Sequence, residues 1–342
     1  MVLALKAMAL LKTDDAPKVE LLSGRDHRET YKVCAEGTSL LVRSSDRGGC
    51  ASAHLYATTA TRHVPDFRPK LLGYDGERGL LVEEWLDPRE YKSLGQELLH
   101  ESASCGWSTP FRPDEFSAID FESLLSDVGE KIGRIHAARI DGVPFRSGVA
   151  PARARPLESL LRAAATHHDL ANRLRGIVEE SARIEPVLLH GRLSPSSVLF
   201  NEKFIAIVGS NLASPGDPAL DLAHMMAHLF IVSVYRGSSI LVTAAGAFHS
   251  GYAETIDARD KLSIMHRSGP LSVAFMLAFL EDERISAPLS LEDKEVVLDF
   301  SRWWLGRRDY TLGQVRHALW DVVDLGVIDW RANFESLPRA DE

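Results

Sequence analysis

Between Val187 and Ala223 the chain reads VLLHGRLSPSSVLFNEKFIAIVGSNLASPGDPALDLA, and this stretch restricts its fold more than any other. The apolar run Val187 to Leu189 predicts a buried strand, and His190 to Ser197 a polar loop. Val198 to Val208 predicts a strand, a turn and a second strand. After a further loop a helix opens at Gly216-Asp217-Pro218. Asp217 can cap that helix, and Pro218 suits its first turn.

The rest of the chain sets the limits around this stretch. Its 342 residues suffice for a sizeable core and suit two lobes better than one. Apolar residues make up 45% and charged ones 25%, as in an ordinary globular protein. The net charge of -9 argues against nucleic acid or an anionic membrane as a general partner. Three cysteines (Cys34, Cys50 and Cys105) without CxxC spacing predict neither a disulfide framework nor a zinc site, and point to the cytoplasm. The apolar N-terminus is broken by Lys6 and reads as a short helix or strand packed on the first lobe, not as a signal peptide. Ala223 to Tyr235, the longest apolar run, is too short to span a bilayer. Arginine outnumbers lysine, which suggests a GC-rich bacterial genome.

The central stretch resembles the aminoglycoside phosphotransferase and choline kinase-like family, whose hallmark is HGDxxPxNVL, then a strand ending in Asp, then GDPxxD leading into a helix. His190, Gly191, Pro195, Val198 and Leu199 match the first motif; Gly216, Asp217, Pro218, Ala219 and Asp221 match the second. Ser194-Pro195 and Ala227-His228-Leu229 are similar to the methylthioribose kinase-like branch. The resemblance implies a protein-kinase-like α+β fold of two lobes. An N-lobe at 1–86 would hold a five-stranded antiparallel sheet and one helix, and 87–342 would form a mostly helical C-lobe.

The chain in order supports that plan. Val19 to Val42 predicts a hairpin system whose Ser23 to Arg28 turn resembles the family's phosphate-covering turn, and Arg43 closes its last strand. Cys50 to Arg62 predicts the N-lobe helix, and Val82 to Leu86 the hinge. Phe121 to Arg139 has helical spacing, with His136 in the family's Leu-His-Ala position. Helices are predicted over Pro218–Arg236, Ile240–Ile256, Asp260–Arg284, Leu291–Leu305 and Leu312–Leu325, with Gly269-Pro270 interrupting the third. Gly148 to Pro156 is a basic loop.

The family's chemistry is missing from this framework. The catalytic Asp position carries Arg192, the metal-binding Asn position Ser197, the metal-binding Asp position Gly209, and the acidic position two further on Asn211. Phosphoryl transfer needs anionic oxygens around magnesium and a carboxylate on the attacking hydroxyl. An arginine cannot serve as that base. Arg43 stands where the family's phosphate-reaching residue lies, yet the predicted helix offers it no carboxylate.

The chain therefore reads as a pseudokinase with no expected cofactor or metal, while metal-independent nucleotide binding at the hinge is left open. Arg43, Arg192, Ser194 and Asn211 are candidate ligand-binding residues for a phosphate- or carboxylate-bearing ligand, a peptide or a partner protein. His190, Asp217 and Asp221 are framework residues. One alternative is a repurposed cyclase or lyase with His224 or His228 as base, since the two lie one helical turn apart. Another is an active small-molecule kinase whose metal ligands are displaced, with Asp217 and Asp221 the nearby carboxylates. Related phosphotransferase-like proteins in bacterial modification of ribosomal peptides suggest a setting.

Overall fold

The computed structural model describes every residue except 13–15, 26–27, 36, 46, 99–119, 139–154, 308–309, 311 and 326–342. The Asp26-His27 end of the hairpin turn, Cys105 and most of the basic loop lie outside it.

The first lobe is an antiparallel sheet. Strands β1 (Lys18–Arg25), β2 (Arg28–Ala35), β3 (Thr38–Ser44), β4 (Leu71–Asp75) and β5 (Leu80–Glu84) stand in the order β1-β2-β3-β5-β4. Side-chain alternation gives it two working faces. Val33, Leu40, Val42, Leu80 and Val82 point one way and bury Ala4 and Leu5 of helix α1 (Val2–Ala7). Leu81 points the other way, against Cys50 and Ala53 of helix α2 (Arg47–His63). The N-terminal segment is thus helical, and the lobe carries two helices rather than one.

Helix α2 also ties the lobes together. Tyr56, Ala60 and Val64 belong to the large C-lobe core, while Cys50 and Ala53, about a turn earlier, face the sheet. Glu84 to Asp87 link the lobes covalently, followed by the two-residue β6 (Lys92–Ser93).

The second lobe is mostly helical. Helix α3 (Phe121–Ala137) starts at Asp120, whose carboxylate accepts the Ser123 N–H at 3.0 Å. Next come α4 (Arg155–Thr166), α5 (Ala171–Ser181), β7 (Val187–Leu189), β8 (Val198–Phe200), β9 (Ile205–Ile207) and β10 (Ser214–Gly216). β10 pairs with β7, and β8 lies between β6 and β9. Then follow α6 (Ala219–Arg236), α7 (Ile240–Ala253), α8 (Ala258–Leu280), α9 (Glu283–Ser286), α10 (Leu291–Leu305) and α11 (Leu312–Leu325).

Two packing details depart from local expectation. Gly269-Pro270 does not interrupt α8, which runs through Pro270. A mid-helix proline costs about 3 kcal/mol, but Leu271, Val273, Phe275, Met276 and Leu277 are essentially buried beyond it, each stabilising by about 1.5–3 kcal/mol. The pair α3 and α7 meets so closely that a Cβ at Gly129 would lie 2.0 Å from the Phe248 carbonyl oxygen, and one at Gly251 2.1 Å from that of Ser126.

Candidate functional site

The loop after β7 is built around one buried carboxylate. Asp221, in the first turn of α6, accepts the backbone N–H of His190 (2.6 Å) and of Gly191 (3.0 Å). His136 of α3 points Nε2 at the same carboxylate (3.3 Å), and its Nδ1 meets the Tyr252 hydroxyl (3.1 Å). Burial pushes the Asp221 carboxyl up, but the His136 hydrogen bond, the His136 and His190 charges and the backbone N–H outweigh it and hold the group below its ordinary value. The His190 Nε2–H donates to the Val208 carbonyl (2.9 Å), joining the loop to the end of β9. Gly191 has φ +82°, and a Cβ there would lie 2.1 Å from the Leu212 carbonyl oxygen, so glycine alone fits where the two motif loops touch.

Asp217 is equally occupied. Its carboxylate takes Arg267 of α8 in a two-pronged pair, Nε to Oδ2 and Nη2 to Oδ1, both at 2.9 Å. It also accepts the Ala219 N–H at 3.0 Å, which is the expected service to the helix start. Arg192 therefore does not pair with Asp217; it is exposed. The Ser197 hydroxyl donates to the Arg192 carbonyl (3.2 Å) and lies 3.3 Å from the Ser194 hydroxyl, which meets that of Ser196 at 2.9 Å. Gly209 has φ +88° with open space where a side chain would stand. Asn211 lies in a 3₁₀ turn at Ser210–Leu212; its side chain is outside the described part.

Arg43 is corrected by the structure. The predicted helix indeed offers no acid, but Glu83 does: Arg43 Nη2 stands 3.0 Å from Glu83 Oε2, and both side chains are largely buried. Leu41 faces Glu83 across the β3–β5 ladder and Arg43 faces Leu81, so Arg43 and Glu83 are diagonal neighbours on one face. Nearer the hinge, the Lys32 ammonium lies over the Trp85 ring, 4.4 Å from its centre.

His224 and His228 share a face of α6, with ring centres 4.9 Å apart. The His224 Nδ1–H donates to the Leu193 carbonyl at 2.7 Å, so this side chain fastens the loop. Burial, with the Arg192 and His190 charges adding to it, drives the His224 imidazole down to about 4, although the Leu193 hydrogen bond and Asp221 oppose it. Burial, His224 and Arg192 likewise lower His228, whose ring lies 4.3 Å from that of Phe279. Both are neutral near pH 7, but so low a basicity removes most of the driving force for proton abstraction.

The structure thus gathers Arg192, Ser194, Ser197, His224 and His228 at one loop and leaves Arg43 in its own ion pair. Sequence reading missed Glu83 and Arg267. Strand alternation could have found the first; no local signal marks the second. Among the described residues no group of three or more His, Cys, Asp or Glu is placed to hold a metal ion. Among the described residues, the lining does not fit the magnesium-bound nucleotide that such a fold implies: Ser197 offers a hydroxyl, Gly209 offers nothing, and the carboxylates of Asp217 and Asp221 are engaged.

An antiparallel-sheet lobe, a helical lobe and two linked motif loops define the architecture of aminoglycoside phosphotransferases and choline kinases. The family model for the phosphotransferase enzyme family, APH, matches residues 113–255, which bears out the likeness read from the motifs. No curated protein matches the chain in sequence. A choline/ethanolamine kinase family protein from Mesorhizobium loti superposes with a TM-score of 0.50 at 16% identity, covering 95% of this chain and 99% of that one. An ethanolamine kinase from Plasmodium vivax gives 0.54 at 10%, covering 87% and 86%. An amicoumacin kinase in complex with AMP-PNP, Ca2+ and Ami gives 0.50 at 12%, covering 97% and 96%. At such identities the likeness is one of fold.

Proposed function

We propose that this chain is a pseudokinase: a phosphotransferase-like scaffold that transfers no phosphoryl group and uses its cleft to hold an anionic group of a peptide or partner protein. The observation that carries this reading is the engagement of Asp217 by Arg267 and of Asp221 by the loop backbone. Arg192, Ser197 and Gly209 replace three charged or chelating groups, and neither neighbouring carboxylate is free to substitute for them. The same geometry argues against the reading of an active kinase with displaced ligands.

Arg192 is the group that would receive the anion. It is exposed, in the loop that also carries Ser194 and Ser196, and a guanidinium binds phosphate or carboxylate through paired N–H donors without metal. Arg43 contributes less, since Glu83 already balances its charge. A bacterial pathway that modifies ribosomal peptides fits such a module, with the cytoplasm as its place. The cyclase or lyase reading rests on His224 or His228, whose lowered basicity counts against it.

Thermal unfolding with inorganic phosphate and with a phosphoserine peptide, each in EDTA, tests the proposal. The expected result is a rise in Tm that disappears in Arg192→Ala. Magnesium-dependent stabilisation by ATP with transfer of its terminal phosphate would overturn it.

A further inference from the structure

Away from the motif loops, α7 and α11 bring together a guanidinium and an imidazole that meet no acid. Arg316 of α11 lies flat on α7: a Cβ at Gly246 would stand 2.0 Å from its Nη2, 2.2 Å from its Cζ and 2.5 Å from its Nη1. Glycine at 246 is therefore what seats the group. The Arg316 Nε–H donates to the Val242 carbonyl, one turn earlier, at 3.4 Å. That leaves the edge of Nη1 and Nη2 unspent. Helix α7 contains no acidic residue, and among the described residues no carboxylate pairs with Arg316. Burial pulls its guanidinium below the ordinary value, with no acid to offset it.

His249 stands one turn beyond Gly246 on α7. A helical side chain leans toward the N-terminus of its helix, here toward the seated guanidinium. Only 8% of His249 is exposed, and among the described residues its imidazole has no hydrogen-bond partner. No unpartnered nitrogen of His249 or Arg316 is sealed from solvent, so one ligand can reach both. Burial, then the charges of Arg316 and of Lys261 near the start of α8, hold the imidazole down at about 4. At pH 7 it is neutral, with one N–H to donate. Two guanidinium N–H groups and one imidazole N–H match the two oxygens of a carboxylate. A phosphate would bring a third oxygen and further charge into a half-buried place that has no donor left to meet them.

We propose that Arg316, His249 and Lys261 form a carboxylate-binding site where α7, α8 and α11 meet, taking the carboxylate of a small acid or of a peptide C-terminus. The site is independent of the reading of Arg192. Proton–carbon NMR at pH 7 and constant ionic strength tests it by following the His249 ring, identified by its loss in His249→Gln. The probes are acetate, N-acetyl-dialanine as free acid and as amide, and inorganic phosphate. Acetate should move the His249 signal saturably, in Arg192→Ala as in the parent. Gly246→Ala keeps every charge but pushes the guanidinium off its seat, and should weaken acetate by about ten-fold or more, as should Arg316→Met. Phosphate should bind at least about ten-fold more weakly than acetate. Tighter binding of the dialanine acid than of acetate assigns the site to a chain end, and the reverse order assigns it to a small acid. The proposal fails if acetate leaves the signal unmoved or moves it without saturation, if phosphate or the amide binds as well as acetate, or if neither substitution weakens binding.

Discussion

Arg43 and Glu83 form an ion pair across the cleft face of the first lobe, Nη2 to Oε2 at 3.0 Å, with only 15% and 4% of their side chains exposed. The cation that the motif would direct at a phosphate is instead neutralised by its own sheet. Removing one member leaves a buried charge behind, so Arg43→Ala should lower stability by about 3 kcal/mol. The double change Arg43→Met/Glu83→Leu should recover most of that loss, because the desolvation cost goes with the charges. Urea unfolding of the three proteins checks both outcomes.

The Arg267–Asp217 pair invites the conservative swap. Lysine has no planar fork to match both carboxylate oxygens, so Arg267→Lys should cost about 2 kcal/mol despite keeping the charge. An unchanged denaturation midpoint would show that the second prong is idle.

Gly129 tests the α3–α7 contact. Alanine is the better helix former by about 1 kcal/mol, yet its Cβ would sit 2.0 Å from a backbone oxygen. The clash should win, and Gly129→Ala should destabilise by about 2 kcal/mol or more. Higher stability on thermal unfolding would contradict the close approach.

Acid should weaken the fold before the carboxylates titrate. His224 is held neutral with its pKa down at about 4, so below pH 6.5 the unfolded chain takes up a proton that the folded one refuses. Its contribution is complete above pH 6.5 and declines toward pH 4, by about 1.4 kcal/mol per pH unit. His249, also down at about 4 chiefly through burial, acts in the same sense. His224→Asn, able to keep a donor near the Leu193 carbonyl, should flatten the slope by about one proton between pH 6 and 5. Urea titrations at several pH values measure it.

Restoring the missing groups in Arg192→Asp/Ser197→Asn/Gly209→Asp should create a divalent-metal site where none is expected now. Space at position 209 is open, and aspartate tolerates a positive φ better than most residues. Manganese-dependent protection against thermal unfolding in the triple variant, and not in the parent, is the expected outcome.

Much of this molecule is written in short-range pattern. His190, Asp217 and Asp221 announce the linked loops because their spacing leaves few other shapes, and helical periodicity located α3, α6, α7, α10 and α11. The pattern fell short where packing overrode it: Pro270 sits inside α8 because the residues after it are buried on all sides. It left the N-terminal segment open between helix and strand, and the structure makes it α1, six residues stabilised by the sheet they cover.

The amino-acid order alone determined that Arg, Ser and Gly stand at positions 192, 197 and 209, where the resembled motifs carry Asp, Asn and Asp, since the identity of a residue needs no coordinates. Only the tertiary structure decided which charges are spent and which are open: Arg43 on Glu83, Asp217 on Arg267, Arg192 facing solvent. The reason is range. A missing ligand is a property of one residue, whereas a charge is satisfied by whatever the folded chain brings within about 4 Å of it, here from 40 and 50 residues away.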